Sequence, residues 1–314
     1  MLTYFALCQV PEIFPALTGL SRDEFDRLAA DFAAARDRFR ASSERTKRGT
    51  PRQRAAGAGG PPAHDLPTRL LMALVWLRIY PTYERLGWLF GLEKSNAWEA
   101  VQDALAGLET LADFPFERPA AERKKLATKE AAIDAFPQVK VIHDGKEQPF
   151  RRPQGREPQK PFSSGNKKRR TVKNRIVCRP DGRIVAVSAT VPGSTHDLTV
   201  LRGSGVLDRL DEGEGAMADT AYTGAQADRP GVPLIVPTKA TRGHPLTEGQ
   251  EAANRVISGF RVVIEHVMAQ RIRFQVLKQV FRSALARHTQ AIRVVAVLVD
   301  RRIAAVPLKT YAVT

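Results

Sequence analysis

The sequence predicts an α/β domain, a mixed five-stranded sheet with flanking helices, preceded by an all-α region. Three observations carry this. Residues 20–110 show apolar residues at helical spacing with capping signals. From residue 138 the pattern changes to short β-branched runs separated by turn residues. Two long helical stretches follow those runs, so the sheet has helices to cover it.

The helical part opens with "SRDEFDRLAADFAAARDRF". Ser21 and Glu24 have capping-box spacing, and Phe25, Leu28, Phe32 and Phe39 fall near one helical face. A basic, Gly/Pro-rich loop at 45–64 has no apolar period. "LPTRLLMALVWLRIY" then reads as a buried helix broken by Pro81 and Thr82. "TYERLGWLF" is a short second helix, Gly91 makes the turn, and Ser95 or Asn96 caps a third, "AWEAVQDALAGL". That order is a helix-turn-helix outline. The third helix carries Glu99 and Asp103 and little positive charge, so it makes a poor sole reader of a major groove. The expected boundaries are a helical region at 1–115, a linker at 116–137 and a second domain at 138–314.

In the second domain, "VKVIHDG", "RTVKNRIVCRPDG", "RIVAVSATVPG", "GAMADTAY" and "PLIVPTK" read as strands. The middle pair joins across Pro180-Asp181-Gly182. A helix is expected near 197–203, a long one through "EGQEAANRVISGFRVVIEHVMAQRIRF", and a last one through "ARHTQAIRVVAVLVDRRI".

Composition narrows the partners. The chain has 314 residues, 49 Lys and Arg against 33 Asp and Glu, and a formal net charge of +16. Such a charge points to a polyanion. From Lys146 to Arg183 there are 13 basic and three acidic residues, and from Arg36 to Arg54 eight and two. The longest apolar runs are far shorter than the ~20 residues that span a bilayer. The N-terminus lacks a basic leader, and two cysteines cannot make a disulfide framework, so a cytoplasmic protein is expected. No paired-Cys or HExxH zinc motif and no GxxxxGK[ST] loop is present, so neither zinc nor a nucleotide cofactor is indicated.

Two expected strands end in an aspartate, Asp144 and Asp219. Alone, each reads as readily as a turn residue. On the long late helix, Val256, Phe260, Val263, Val267 and Phe274 define a core face at 100° per residue. Asn254, Ser258, Arg261 and Glu265 form a polar stripe opposite it. One Glu in line with Arg, Ser and Asn suits a helix facing a site at the strand ends.

Two Asp on strands and a Glu on a later helix resemble the DDE triad of RNase H-like transposases and integrases. More narrowly, the chain resembles bacterial insertion-sequence transposases related to the Harbinger group, of the DDE superfamily endonuclease type. "DGKEQPFRRP" resembles the family's first-Asp motif, with Lys146 where Thr is usual. "FSSGNKKRRTVKNRIVCRPDGRIVAVSATVPGSTHDLTVLR", "ADTAY", "PTKATRGHPLT" and "NRVISGFRVVIEHV" resemble further motifs in order, and the 20–110 segments resemble its helix-turn-helix. The resemblance implies an RNase H-like fold and a DNA transposase in the bacterial cytoplasm and nucleoid. It implies Asp144, Asp219 and Glu265 as catalytic acids holding two Mg²⁺ or Mn²⁺ ions, with double-stranded DNA as substrate and target. It further implies a homo-oligomer assembled on DNA.

Around these acids, Asp197, His196, Asn254, Ser258, Arg261 and His266 are candidates for supporting positions. His143, next to Asp144 on a strand, should point to the opposite face and pack. Arg151, Arg152, Lys167, Lys168, Arg169, Arg170 and Lys173 are candidates for a basic rim on DNA phosphates. Two rivals share these residues: a silenced DNA-binding copy, and a host nuclease without strand transfer.

Overall fold

A computed structural model describes residues 1–42, 62–114, 138–152, 159–165, 167–222 and 224–308. The expected linker and most of the expected basic loop lie outside these. The residues group into two compact units, Met1–Asp113 with Ile272–Gln279 and Gln290–Val297, and the remainder.

In the first unit, two short helices, α1 (Tyr4–Cys8) and α2 (Phe14–Thr18), precede α3 (Arg22–Ser42), α4 (Leu66–Ile79), α5 (Tyr83–Phe90) and α6 (Lys94–Glu109). The expected capping box opens α3. Ser21 N–H donates to Glu24 Oε2 at 2.7 Å, and Glu24 N–H donates to Ser21 Oγ at 3.2 Å. Phe25, Leu28 and Phe32 are buried, whereas Phe39 is 37% exposed. Helix α4 is apolar all round and buried from Leu70 to Leu77, as expected for a core helix. Thr82 Oγ1 accepts the Arg85 N–H at the start of α5.

Gly91 ends α5 with φ +67°, and Leu92 N–H reaches Gly87 O at 2.8 Å. That tight reversal leads straight into α6 at Lys94. The helix therefore starts before Ser95 and Asn96, and neither caps it. Asp103 has a structural role, its Oδ2 accepting from Arg36 at 3.0 Å and Arg69 at 2.6 Å and so tying α6 to α3 and α4.

The second unit contains a mixed sheet: β1 (Val139–Pro149), β2 (Thr171–Cys178), β3 (Ile184–Val187), β4 (Val191–Pro192), β5 (Gly215–Met217) and β6 (Leu234–Ile235). The order is β3-β2-β1-β5-β6, with β4 also on β2. Six strands replace the expected five because "RIVAVSATVPG" breaks at Ser188–Thr190. There the Ser188 hydroxyl takes the Arg175 N–H at 2.9 Å, and regular pairing with β2 resumes at Val191. The Asp181-Gly182 turn forms as expected, with Gly182 at φ +89°.

Three helices complete the unit: α7 (Asp197–Arg202), α8 (Glu248–Arg271) and both ends of α9 (Leu285–Ala305). One sheet face builds a core from Val141, Val177, Val185, Ala216 and Ala218 with Leu201 of α7, Tyr222 and Val232. The other face presents Ile142, Ile176 and Met217, all fully buried, on the side that carries Asp144. Strand β1 contacts α8. At the ends of α9, His288 bonds Gln148 and Thr190, and Asp300 takes the Arg183 guanidinium and the Ile184 N–H. No helix among the described residues is long and apolar enough to cross a membrane.

Candidate active site

Asp144 does not end its strand. Strand β1 continues to Pro149 because β2 pairs it antiparallel along its whole second half, from Ile142↔Cys178 to Pro149↔Thr171. What ends near Asp144 is its parallel neighbour, whose last pair is Ile142↔Met217. Asp219 follows Met217 by two residues, past the end of β5, and its charge acts on the Asp144 carboxyl, so both acids border the notch left where β5 stops.

The electrostatics agree with this placement. Burial raises the Asp144 carboxyl above its ordinary value. The Gly145 N–H (2.8 Å to Asp144 Oδ1) and the Arg261 guanidinium pull the other way, and the Asp219 charge raises it further. Asp219 accepts the Ala221 N–H at 2.5 Å, and its Oδ2 lies 4.0 Å from Arg261 Nη2.

Arg261 reaches this notch because α8 is rolled relative to the face expected from Val256. Its buried residues are Ile257, Phe260, Val263, Ile264, Val267, Met268 and Arg271, while Val256 is 36% exposed. At 100° per residue the core line lies about 60° from Val256, which brings Arg261 to its edge and leaves Glu265 outside it. Phe274 lies beyond the helix end, in the first unit, its ring against Gly19.

Glu265 is exposed one turn past Arg261, Ser258 is exposed, and His266 is partly buried. Among the described residues, no group of three His, Cys, Asp or Glu stands close enough to hold a metal ion. Asn254 is tied to the loop before α8, exchanging hydrogen bonds with the Thr238 backbone at 2.8 and 2.9 Å.

His143 packs on the opposite face, as its position next to Asp144 requires. It is fully buried, 3.2 Å from the Arg175 guanidinium, with Tyr222 edge-on at 4.9 Å. Burial and Arg175 hold its pKa well below the ordinary value. Arg175 is also buried, its guanidinium carbon 4.3 Å from the Tyr222 ring centre.

Asp197 belongs to this face. Its backbone oxygen accepts from Arg175 at 3.0 Å and its carboxylate pairs Lys173 at 3.1 Å. It lies across the sheet from Asp144. His196 caps α7, with Nδ1 accepting the Leu198 N–H at 3.3 Å. Lys173 therefore does not join a rim: it is 7% exposed, shared between Asp197 and Glu147 (3.8 Å). The sequence signal missed was Lys173 and Arg175 at alternate positions in a strand whose eight residues are all buried.

Other basic candidates are placed differently. Lys167, Lys168 and Arg169 are exposed on a turn in which Ser164 bonds the Lys167, Lys168 and Arg169 backbones, with Lys168 at φ +51°. Arg152 and Arg170 share Gln159 Oε1 at 3.2 and 3.1 Å, and Arg151 reaches Ser283 O at 3.4 Å. A further arginine went unremarked in the sequence. Arg271, 1% exposed at the end of α8, donates to Asn174 Oδ1 at 2.8 Å, and burial lowers its pKa to about 10.

The pair Asp144–Asp219 offers only oxygen donors and concentrates negative charge. That suits a hard divalent cation such as Mg²⁺, which commonly takes one or two carboxylates and completes its shell with water and substrate phosphates.

Comparison with known proteins gives the family. The chain is 25% identical over 270 residues to a protein of Microchaete diplosiphon named as the probable transposase for insertion sequence element IS702. The match covers 86% of this chain and 87% of that one. Residues 143–300, half of the chain, match a family described as DDE superfamily endonuclease. That span begins beside Asp144 and takes in Asp219 and Glu265. The chain belongs to the DDE superfamily endonuclease family.

Proposed function

We propose that the protein is an insertion-sequence transposase that cuts DNA at the ends of a mobile element and joins the freed 3′-OH to target DNA. The observation that supports this reading is the end of β5 at Met217, paired with Ile142, past which the Asp219 charge acts on Asp144 and Arg261 of α8 lies 4.0 Å from Asp219. Asp144 would be the ligand common to two Mg²⁺ or Mn²⁺ ions, with Asp219 completing one site and Glu265 the other. When bound, such ions activate water and neutralise charge on the leaving 3′ oxygen.

The chain's own residues supply the remaining work. Gly145 N–H orients the Asp144 carboxylate, and the turn after Asp219 fixes its partner. The exposed Lys167–Arg169 turn, with Arg151, Arg152 and Arg170, attracts the phosphate backbone and positions it without reading bases. The second unit is read as an RNase H-like domain. Helices α4 to α6 are read as a helix-turn-helix that grips element ends. Assembly as an oligomer on DNA in the bacterial cytoplasm completes the reading.

A supercoiled plasmid carrying the DNA segments that flank the gene tests it. With Mg²⁺ or Mn²⁺ the wild type should nick or join this DNA, and Asp144→Ala, Asp219→Ala and Glu265→Ala should not. Cutting by all three variants at the wild-type rate refutes the site assignment. One observation favours a second reading, a silenced copy that binds DNA without cutting it: the exposed Glu265 does not close a three-acid cluster. Binding without cleavage by the wild type would select it.

A further inference from the structure

Asp144 and Asp219 repel each other, the Asp219 charge raising the Asp144 carboxyl, and a cation sharing the space relieves that. A cation for that space comes from α8. Arg261 Nη2 lies 4.0 Å from Asp219 Oδ2, and of the positive charges acting on Asp144 the same guanidinium exerts the larger pull. Lys146 also acts on Asp144, but from an exposed position.

Arg261 is loosely held. The contact to Asp219 is at the outer limit of an ion pair, and Nε is buried with no hydrogen-bond partner among the described residues. A guanidinium normally uses its fork for paired, short bonds to a carboxylate. This one occupies the notch without saturating itself.

We propose that Arg261 is the resident counter-ion of the metal-free Asp144–Asp219 pair, and that a divalent cation binds there only by displacing it. The inference rests on the metal-binding reading of these two acids. Competition between two cations for one carboxylate pair is reciprocal, so whatever weakens one strengthens the other. Arg261 would therefore set the metal affinity of the free protein without being a ligand.

The test is calorimetric titration of Mn²⁺, then Mg²⁺, into the full chain without DNA. Arg261→Gln removes the competing charge at similar length and should tighten Mn²⁺ binding about fivefold or more, the lower end of ordinary site coupling. Arg261→Lys keeps the charge and should stay near the wild-type affinity. In the wild type, saturating Mg²⁺ should shift the Arg261 Nε–H resonance, a readout that needs no variant to fold. Equal or weaker Mn²⁺ binding by Arg261→Gln, or an unmoved Arg261 resonance at saturation, overturns the inference while leaving metal binding intact. Absence of binding in the wild type and in Arg261→Gln alike overturns the metal reading and the inference with it.

Discussion

Asp144 shows how a site residue can oppose the stability of its own fold. Burial is the largest influence on its carboxyl and raises its pKa above the value in the unfolded chain. Ionising it therefore destabilises the folded state. The penalty is absent below the unfolded pKa and fully present above the folded one. Asp144→Asn should accordingly make the metal-free protein more stable than wild type at pH 7. The gain should shrink as pH falls through the folded pKa, and cleavage should be abolished. Urea unfolding at several pH values checks the first part; a variant less stable than wild type at pH 7 would contradict it.

At the same scale, Asp144 and Asp219 were visible in the sequence as acids near strand-to-turn junctions. Their electrostatic coupling was not, because it depends on parallel pairing between segments more than 70 residues apart. The Lys173 misreading has a related cause. Charge density along "KKRRTVK" resembles a surface, and only alternation within a buried strand reveals that Lys173 turns inward.

Among elements, α8 holds the most instructive difference. Its existence and length were readable from periodicity. The roll about its axis was not, since placing Val256 at the centre of the core face and placing Ile264 there satisfy the same spacing. Packing on a sheet decides between them, and a turn of about 60° brings Arg261 to the edge of the core face while Glu265 stays outside it. The α6 start was misread for a similar reason, the Gly91 reversal taking precedence over a local capping signal.

The start of α9 carries a pH-sensitive contact. His288 is buried and neutral, its Nε2–H donating to Gln148 Oε1 at 2.9 Å and its Nδ1 accepting from the Thr190 hydroxyl at 2.8 Å. Burial lowers its pKa to about 3. The unfolded chain takes up this proton near pH 6.5 and the folded chain does not. Stability is thus fully present above pH 6.5 and lost as pH falls toward 3, by at most about 1.4 kcal/mol per pH unit for one proton. His288→Asn should lower stability overall, and should also flatten ΔG of unfolding against pH between 7 and 5. An unchanged slope would show that His288 does not titrate as described. Buried His143 acts in the same direction and should account for part of the slope that remains.

For the whole molecule, charge is the property most legible in sequence. A net charge of +16 points to a polyanionic partner, though not to which basic residues stay exposed to meet one. Lys173, Arg175 and Arg271 are inside the second unit, and Arg36 and Arg69 are committed to Asp103 in the first. Among the described residues of the second unit, the exposed Lys167–Arg169 turn is a clear remaining concentration. Replacing Lys167, Lys168 and Arg169 together by Ala should weaken DNA binding on all sequences alike. It should also reduce the slope of log K against log salt by about 2 to 3, close to one for each phosphate no longer neutralised. Binding isotherms across a salt series check this, and an unchanged slope would remove the turn from the interface.

Asp144 and Asp219 are proposed to hold jointly a divalent ion for DNA cleavage. The most direct measurement replaces each in turn with cysteine and assays plasmid cutting in Mg²⁺ and in Mn²⁺. A thiolate is a poor ligand for hard Mg²⁺ and a better one for Mn²⁺. Asp144→Cys and Asp219→Cys should each lose activity about 100-fold or more in Mg²⁺, on the scale of removing one stabilising group from a transition state, and recover part of it in Mn²⁺. Cutting at the wild-type rate by either variant in Mg²⁺ would contradict the claim.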